Sequence, residues 1–379
     1  MLFIQDIPGY LYHPLYLYIV VLLCFCTSFY YLSSTGNKLI SESKDSLAYI
    51  TVLLAGVIIL FLGLRPYSKD DMLFFGDTWL YAHSYNMLIN GYTGFSDDSE
   101  WLWNNIAFFC KQLKFNENEY FLFIEAIYVI PMVISCFLLT RRNIWVSFLF
   151  CLVSFSFYAY GVNGIRNGAA CSLLMLSLAC FEKNIYRITL SILLAVAAYS
   201  IHNSTMLIIA CVIVSTLLIK SPKNAIAFWA FSILISLLMG DVIGNFFEGI
   251  GFGDDRTRYF KEATETEYAQ AFSSTGFRFD FLLYSAMPVL LVGYLTIKRN
   301  FNDVKYNIIA NTYILANSFW IMVIRSNFSN RFAYLSWFLY PIVVVYPLIR
   351  FNIWESQDRN SAIILIVYTS FTLVMFLIR

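Results

Sequence analysis

The chain has 379 residues, of which 59% are apolar, 19% aromatic and only 13% charged, and its net charge is +1. A soluble core of this length does not need so much apolar surface. A near-neutral chain with no Lys/Arg-rich tract also lacks the electrostatic footprint of nucleic-acid binding.

Apolar runs of about 17–21 residues recur along the whole length, each long enough to cross a bilayer as a helix. The expected fold class is therefore an all-α polytopic membrane protein, one domain over 1–379, with about twelve spans. In chain order they are 15–33, 47–64, 120–140, 144–160, 168–181, 186–201, 204–219, 225–244, 279–297, 304–324, 331–349 and 361–378. The run at 168–181 is short and reads as tilted, broken or partly re-entrant. Lysine-rich short connections, with Lys38, Lys44, Arg141, Arg142, Lys183, Lys220, Lys223, Lys298 and Arg350, mark the cytoplasmic side. Both termini and two long loops, 65–119 and 245–278, then face outward. Helical stretches at Phe74–Leu88 and Trp101–Leu113 of the first loop look amphipathic and suited to lying on the membrane surface. Seven of the eight cysteines fall in apolar runs, leaving Cys110 in a loop, so neither a disulfide framework nor a zinc site is expected. The segment Met1–Pro14 holds no Lys or Arg, which argues against a cleaved secretory signal.

The outer connections carry Arg65, Arg166, Arg325 and Arg331, where basic residues are normally avoided. All four are arginine, whose planar fork of donors suits phosphate and carboxylate. Arg166-Asn167 opens one span, and His202-Asn203-Ser204 opens the second span after it, so both return to the same leaflet. Two basic groups at neighbouring helix N-termini form an anion site; the bland alternative is a snorkelling Arg and a locally satisfied His. Arg65 in Gly63-Leu-Arg-Pro66 reads as a ligand or an interfacial anchor. Asp77 in Gly76-Asp-Thr-Trp-Leu-Tyr81 reads as a base or as a helix N-cap. Arg325-Ser-Asn-Phe-Ser-Asn-Arg331, leading into Tyr334, is a concentrated donor patch set against a simple polar turn. Asp254-Asp255-Arg256-Thr-Arg258 reads as a solvated charge run in which Arg256 and Arg258 are candidates for a substrate clamp. No Walker loop, dinucleotide fingerprint, HExxH or GxSxG stands in the chain, and no ionisable residue is conspicuous in the middle of several spans.

The order of these elements resembles the bacterial O-antigen and exopolysaccharide polymerases of the Wzy family, and its EpsG-like branch in particular. Gly63-Leu-Arg65 with Gly76-Asp77 and Tyr81 is similar to an early Arg…Gly-x-Asp…Tyr element. Gly164-Ile-Arg166-Asn167 with His202-Asn-Ser204 is similar to a central Arg-then-His element, although Asn167 stands where Gln is common. Asn330-Arg331-Phe-Ala-Tyr334 is similar to a late Asn-Arg element. The resemblance implies a glycosyltransferase-C-like fold of the O-antigen ligase and polymerase type. It also implies an enzyme that joins undecaprenyl-pyrophosphate-linked repeat units at the periplasmic face of the inner membrane.

On that reading Arg166, Arg331, Arg325 and Arg65 bind pyrophosphate, and His202 or Asp77 acts on the acceptor hydroxyl. Asn167, Tyr81, Asn330, Tyr334, Arg256 and Arg258 complete the substrate contacts, and no metal or other cofactor is expected. The expected partners are the glycolipid donor and acceptor, membrane lipids, a chain-length regulator and a flippase, with no nucleic acid. Two other activities compete. An O-antigen ligase or another lipid-linked-sugar glycosyltransferase differs in its acceptor. A lipid-linked oligosaccharide flippase would call for two similar halves, and no internal repeat is visible.

Overall fold

The computed structural model describes residues 2–34, 38–41, 47–88, 100–141, 143–250, 277–325 and 329–378. All regular structure among them is helical, with no strand. The main helices in chain order begin with α1 (Gly9–Leu32), α2 (Ala48–Gly63), α3 (Thr78–Met87), α4 (Trp101–Gln112), α5 (Glu117–Thr140) and α6 (Ile144–Leu152). They continue with α7 (Phe155–Val162), α8 (Ile165–Cys180), α9 (Ile185–Ile201), α10 (Met206–Leu217) and α11 (Pro222–Ile250). The last are α12 (Phe279–Lys298), α13 (Val304–Met322), α14 (Asn330–Trp337), α15 (Tyr340–Arg350) and α16 (Gln357–Ile378). The chain divides into two compact units, one of residues 1–205 with 345–379, the other of residues 206–344.

Every expected span coincides with a helix or a bent pair of helices, so the chain is a helical membrane protein. Length is less generous. Among the described residues six helical segments are long and apolar enough to cross a bilayer, and seven if the bent pair α6–α7 counts as one. Helices α2, α8, α9 and α10 are apolar but shorter, so helix length does not carry the count of twelve crossings. The run expected as one straight span at 144–160 is broken. Its halves meet at 70°, because Ser154 leaves the helical region with ψ 146°. Its hydroxyl satisfies the Cys151 carbonyl freed there, at 2.8 Å. The span expected to run to 244 ends at Met239, where α11 kinks (φ −134°, ψ 21°), and helix resumes from there to Ile250 in the second long loop. Residues 251–276, with Arg256 and Arg258, lie outside the described residues, as do 89–99 in the first loop.

Caps fix several helix starts. Asn116 and Glu119 form a reciprocal capping box at α5, with N–H to oxygen distances of 3.0 and 2.8 Å. Asn184 caps α9 and Asp303 caps α13. In the first unit α8 lies against α5, α7 and α9. Gly168 allows its approach to α7, since a Cβ there would stand 2.8 Å from the Tyr160 carbonyl oxygen. In the second unit α13 is buried along most of its length despite carrying Asn311, Thr312, Asn317 and Ser318. Asn317 bonds between helices, accepting from the Trp229 indole at 2.8 Å and donating to Ser336 at 3.1 Å, while Ser318 donates to the Ile314 carbonyl of its own helix at 2.8 Å.

The first long loop folds back onto the first unit. It contains α3 and α4, so both stretches expected to be amphipathic are helical. Two buried links tie its entry down. Arg65 donates from Nε to Thr78 Oγ1 at 3.0 Å, and Thr78 donates to the Val162 carbonyl at 2.6 Å. Gly76 takes φ +55° and ψ −125°, a conformation closed to most side chains. The turn it makes lets the Asp77 N–H reach Asn163 Oδ1 at 2.9 Å.

Candidate active site

One carboxylate that the sequence analysis left unassigned gathers the central residues. Glu100 stands at the start of α4, which packs against α9. His202 follows the last residue of α9, in extended backbone with φ −154° and ψ 117°. Arg166 lies in the first turn of α8. Glu100 Oε2 accepts from Arg166 Nη1 at 2.5 Å, while Oε1 meets His202 Nδ1 and accepts from the Asn203 N–H at 3.3 Å. Arg166 also donates from Nε to the Tyr81 hydroxyl at 3.3 Å, and its guanidinium sits over the Tyr81 ring. Tyr81 in turn meets Trp103 of α4 edge to face. Ser204 donates to Asn167 Oδ1 at 2.8 Å, joining the turn after His202 to α8.

The charges of this cluster answer one another. Burial raises the Glu100 carboxyl, but the hydrogen bond and charge of His202, then Arg166 and the Asn203 N–H, outweigh it and hold the carboxyl at about 2. Glu100 is thus the anion that answers the Arg166 guanidinium in this cluster. Exposure differs across the cluster: the His202 side chain is 2% exposed, Glu100 17% and Arg166 32%. The arginine is thus the member most open to a ligand.

The structure therefore brings Arg166, His202, Asn167 and Tyr81 together within the first unit. Asp77 lies one helical turn before Tyr81. It occupies the N-cap position of α3, but its side chain makes no capping bond, so the capping expected of it is not formed. Arg65 has other neighbours. It is fully buried and donates to Glu125 at 2.9 Å and to the Leu62 carbonyl. Its guanidinium lies over the Phe121 ring. These bonds link the end of α2 to Thr78 and to α5, and they leave Arg65 Nη2 and Glu125 Oε2 buried without a hydrogen-bond partner. Glu125, eight residues into α5, is an ionisable group inside a span that sequence reading passed over.

In the second unit Arg325 donates to the Leu237 carbonyl at 3.4 Å. Arg331 is exposed, one turn before Tyr334, which meets Trp337 edge to face. The backbone of Asn330 begins α14. Arg278 pairs with Asp280 at 2.5 Å. Glu100 was the residue that sequence reasoning missed. A signal existed: two cations near membrane depth call for a counter-charge, and Glu100 precedes Trp-Leu-Trp in the acidic outer loop.

No curated protein and no solved structure matches the chain. A family model does, over residues 49–379, a stretch that includes α2 to α16 and every member of the cluster. By that match the chain belongs to the EpsG family, a family of polysaccharide-polymerase-like membrane proteins.

Proposed function

We propose that the protein polymerises undecaprenyl-pyrophosphate-linked oligosaccharide repeat units into a surface polysaccharide at the outer face of the bacterial inner membrane. The observation that carries this reading is the Arg166–Glu100–His202 cluster, which joins a part-open guanidinium and an imidazole through one shared carboxylate. Family membership supports the class of activity, and the cluster supports the chemistry.

In the proposed step the acceptor hydroxyl oxygen of a new repeat unit forms a bond to the anomeric carbon of the growing chain. The bond from that carbon to the pyrophosphate oxygen breaks, and its electron pair leaves with undecaprenyl pyrophosphate. The hydroxyl proton passes to His202. Negative charge grows on the pyrophosphate as the bond breaks, so a preorganised guanidinium at Arg166 stabilises the transition state more than the ground state. Asp77 is the second candidate base. Arg331 and Arg325 are further candidate phosphate donors by their chemistry, and Asn167, Tyr81 and Tyr334 are candidate sugar contacts. Arg65 is assigned to bracing.

The test uses the purified full chain in lipid nanodiscs, given the single-unit glycolipid extracted from cells that lack it, with and without a chelator. A ladder of products on the carrier lipid in both conditions is the expected result. Transfer to a lipid A core without a ladder means a ligase. Movement of the glycolipid across a bilayer with no new glycosidic bond means a flippase and overturns the proposal.

A further inference from the structure

The proposed chemistry uses Arg166 and His202 but gives no role to the residue between them. Both carboxylate oxygens of Glu100 are engaged, one by each partner. We propose that Glu100 is a positioning residue: it holds His202 in the tautomer with the proton on Nδ1, which places the ring's lone pair on Nε2 and makes that nitrogen the proton acceptor. The inference rests on the polymerase reading for its chemistry, and on geometry alone for the tautomer.

The argument starts from the acceptor. An ionised carboxylate has no proton to give, so a hydrogen bond between Glu100 Oε1 and His202 Nδ1 requires the proton on the ring nitrogen. The backbone around His202 is fixed separately. Its N–H donates to the Ala198 carbonyl at 3.0 Å, and its carbonyl accepts from the Thr205 hydroxyl at 2.7 Å. Those bonds set where the Cα sits. Glu100 adds the bond to Nδ1 of the ring. The carboxylate is itself held at its second oxygen by Arg166, at 2.5 Å. Arg166 is held by the Tyr81 hydroxyl, and Tyr81 by the edge of Trp103 on α4, the helix that Glu100 begins. The chain of contacts closes on itself, so displacing any member disturbs the ring. A carboxylate that fixes the tautomer and orientation of an imidazole base is an established way to aim its other nitrogen at a proton. Here the same carboxylate also orients the guanidinium, so the base and the leaving-group donor keep one geometry.

The sequence contains only three histidines, which makes the tautomer directly readable. The full chain, labelled with ¹⁵N-histidine and held in lipid nanodiscs at pH 8, is measured by solid-state NMR, with His202→Gln identifying the His202 signals. The expected spectrum has a protonated Nδ1 and a bare Nε2, and Glu100→Ala moves the proton to Nε2. In the polymer assay Glu100→Ala is expected to lower kcat about 100-fold, while KM for the glycolipid changes much less. Glu100→Gln, whose amide oxygen still accepts from Nδ1–H, recovers part of the loss. A proton on Nε2 in the wild-type protein, or the same tautomer in wild type and Glu100→Ala, overturns the inference. A wild-type protein that makes no polymer overturns the polymerase reading instead, since the tautomer is read without turnover.

Discussion

Among the Arg–Glu pairs of the first unit, Arg65–Glu125 and Arg166–Glu100 differ in one respect that decides their use. Arg65–Glu125 is sealed, with side chains 0% and 1% exposed, and its members also bind Thr78 and the Leu62 carbonyl. Arg166–Glu100 is part open, at 32% and 17%, and its carboxylate is shared with a histidine. A sealed pair holds elements in place, because a single charge left behind in apolar surroundings is very costly. An open pair keeps an edge for a ligand and a geometry prepared in advance. Chemically alike, the two pairs are separated by what lies around them.

The comparison breaks most sharply with Arg166→Ala. Long-chain polymer is expected to disappear, at least about 100-fold by removal of a preorganised donor, while single-unit glycolipid accumulates, as read on gels of carrier-linked products. Arg65→Ala should act on stability. It leaves Glu125 buried and uncompensated, so detergent-solubilised protein is expected to lose about 3–5 kcal/mol of stability. The double change Arg65→Met with Glu125→Leu should recover most of that loss in thermal unfolding. If Arg65→Ala were as stable as wild type, the bracing role would be wrong.

Acid separates the pairs more gently. The Glu100 carboxyl is depressed to about 2 in the folded protein, so the stability it contributes is full above its unfolded value near 4.3 and is lost as pH falls from there toward 2. Hydrogen exchange at α4 should rise over that window in wild type and stay flat in Glu100→Gln. Gly76→Ala should be milder still. It forces a side chain onto φ +55° and sets its Cβ 2.3 Å from Asn163 Oδ1, at a strain of about 1–3 kcal/mol, seen as a lower unfolding temperature. Ser204→Ala removes one hydrogen bond to Asn167 and should have the smallest effect, about 1 kcal/mol.

The helices were legible because apolar runs report burial in lipid directly, and Arg166 was legible because it opens a helix; His202, expected to open the next span, instead stands at the end of α9, before a short turn into α10. The break at Ser154 was not legible, since the run 144–160 holds no Gly, Pro or charge, and its serines Ser147, Ser154 and Ser156 do not by themselves mark a break. Glu100 was hidden for a different reason. Its partners lie 66 and 102 positions away, and local pattern carries no information about which acidic residue of a long loop folds back onto a basic pair. Arg65 read as a ligand because its sequence neighbours place it at a span end. Its pairing with Glu125 of α5, 60 positions on, lies beyond what local pattern reports.

The most direct test of the account counts products in a single reaction. Purified wild-type protein and Arg166→Ala are given the same glycolipid, and released undecaprenyl pyrophosphate is measured against new glycosidic bonds. One carrier released per bond in wild type, with neither product from the Arg166 variant, is the predicted result. Equal release and equal chain length from both proteins would contradict it.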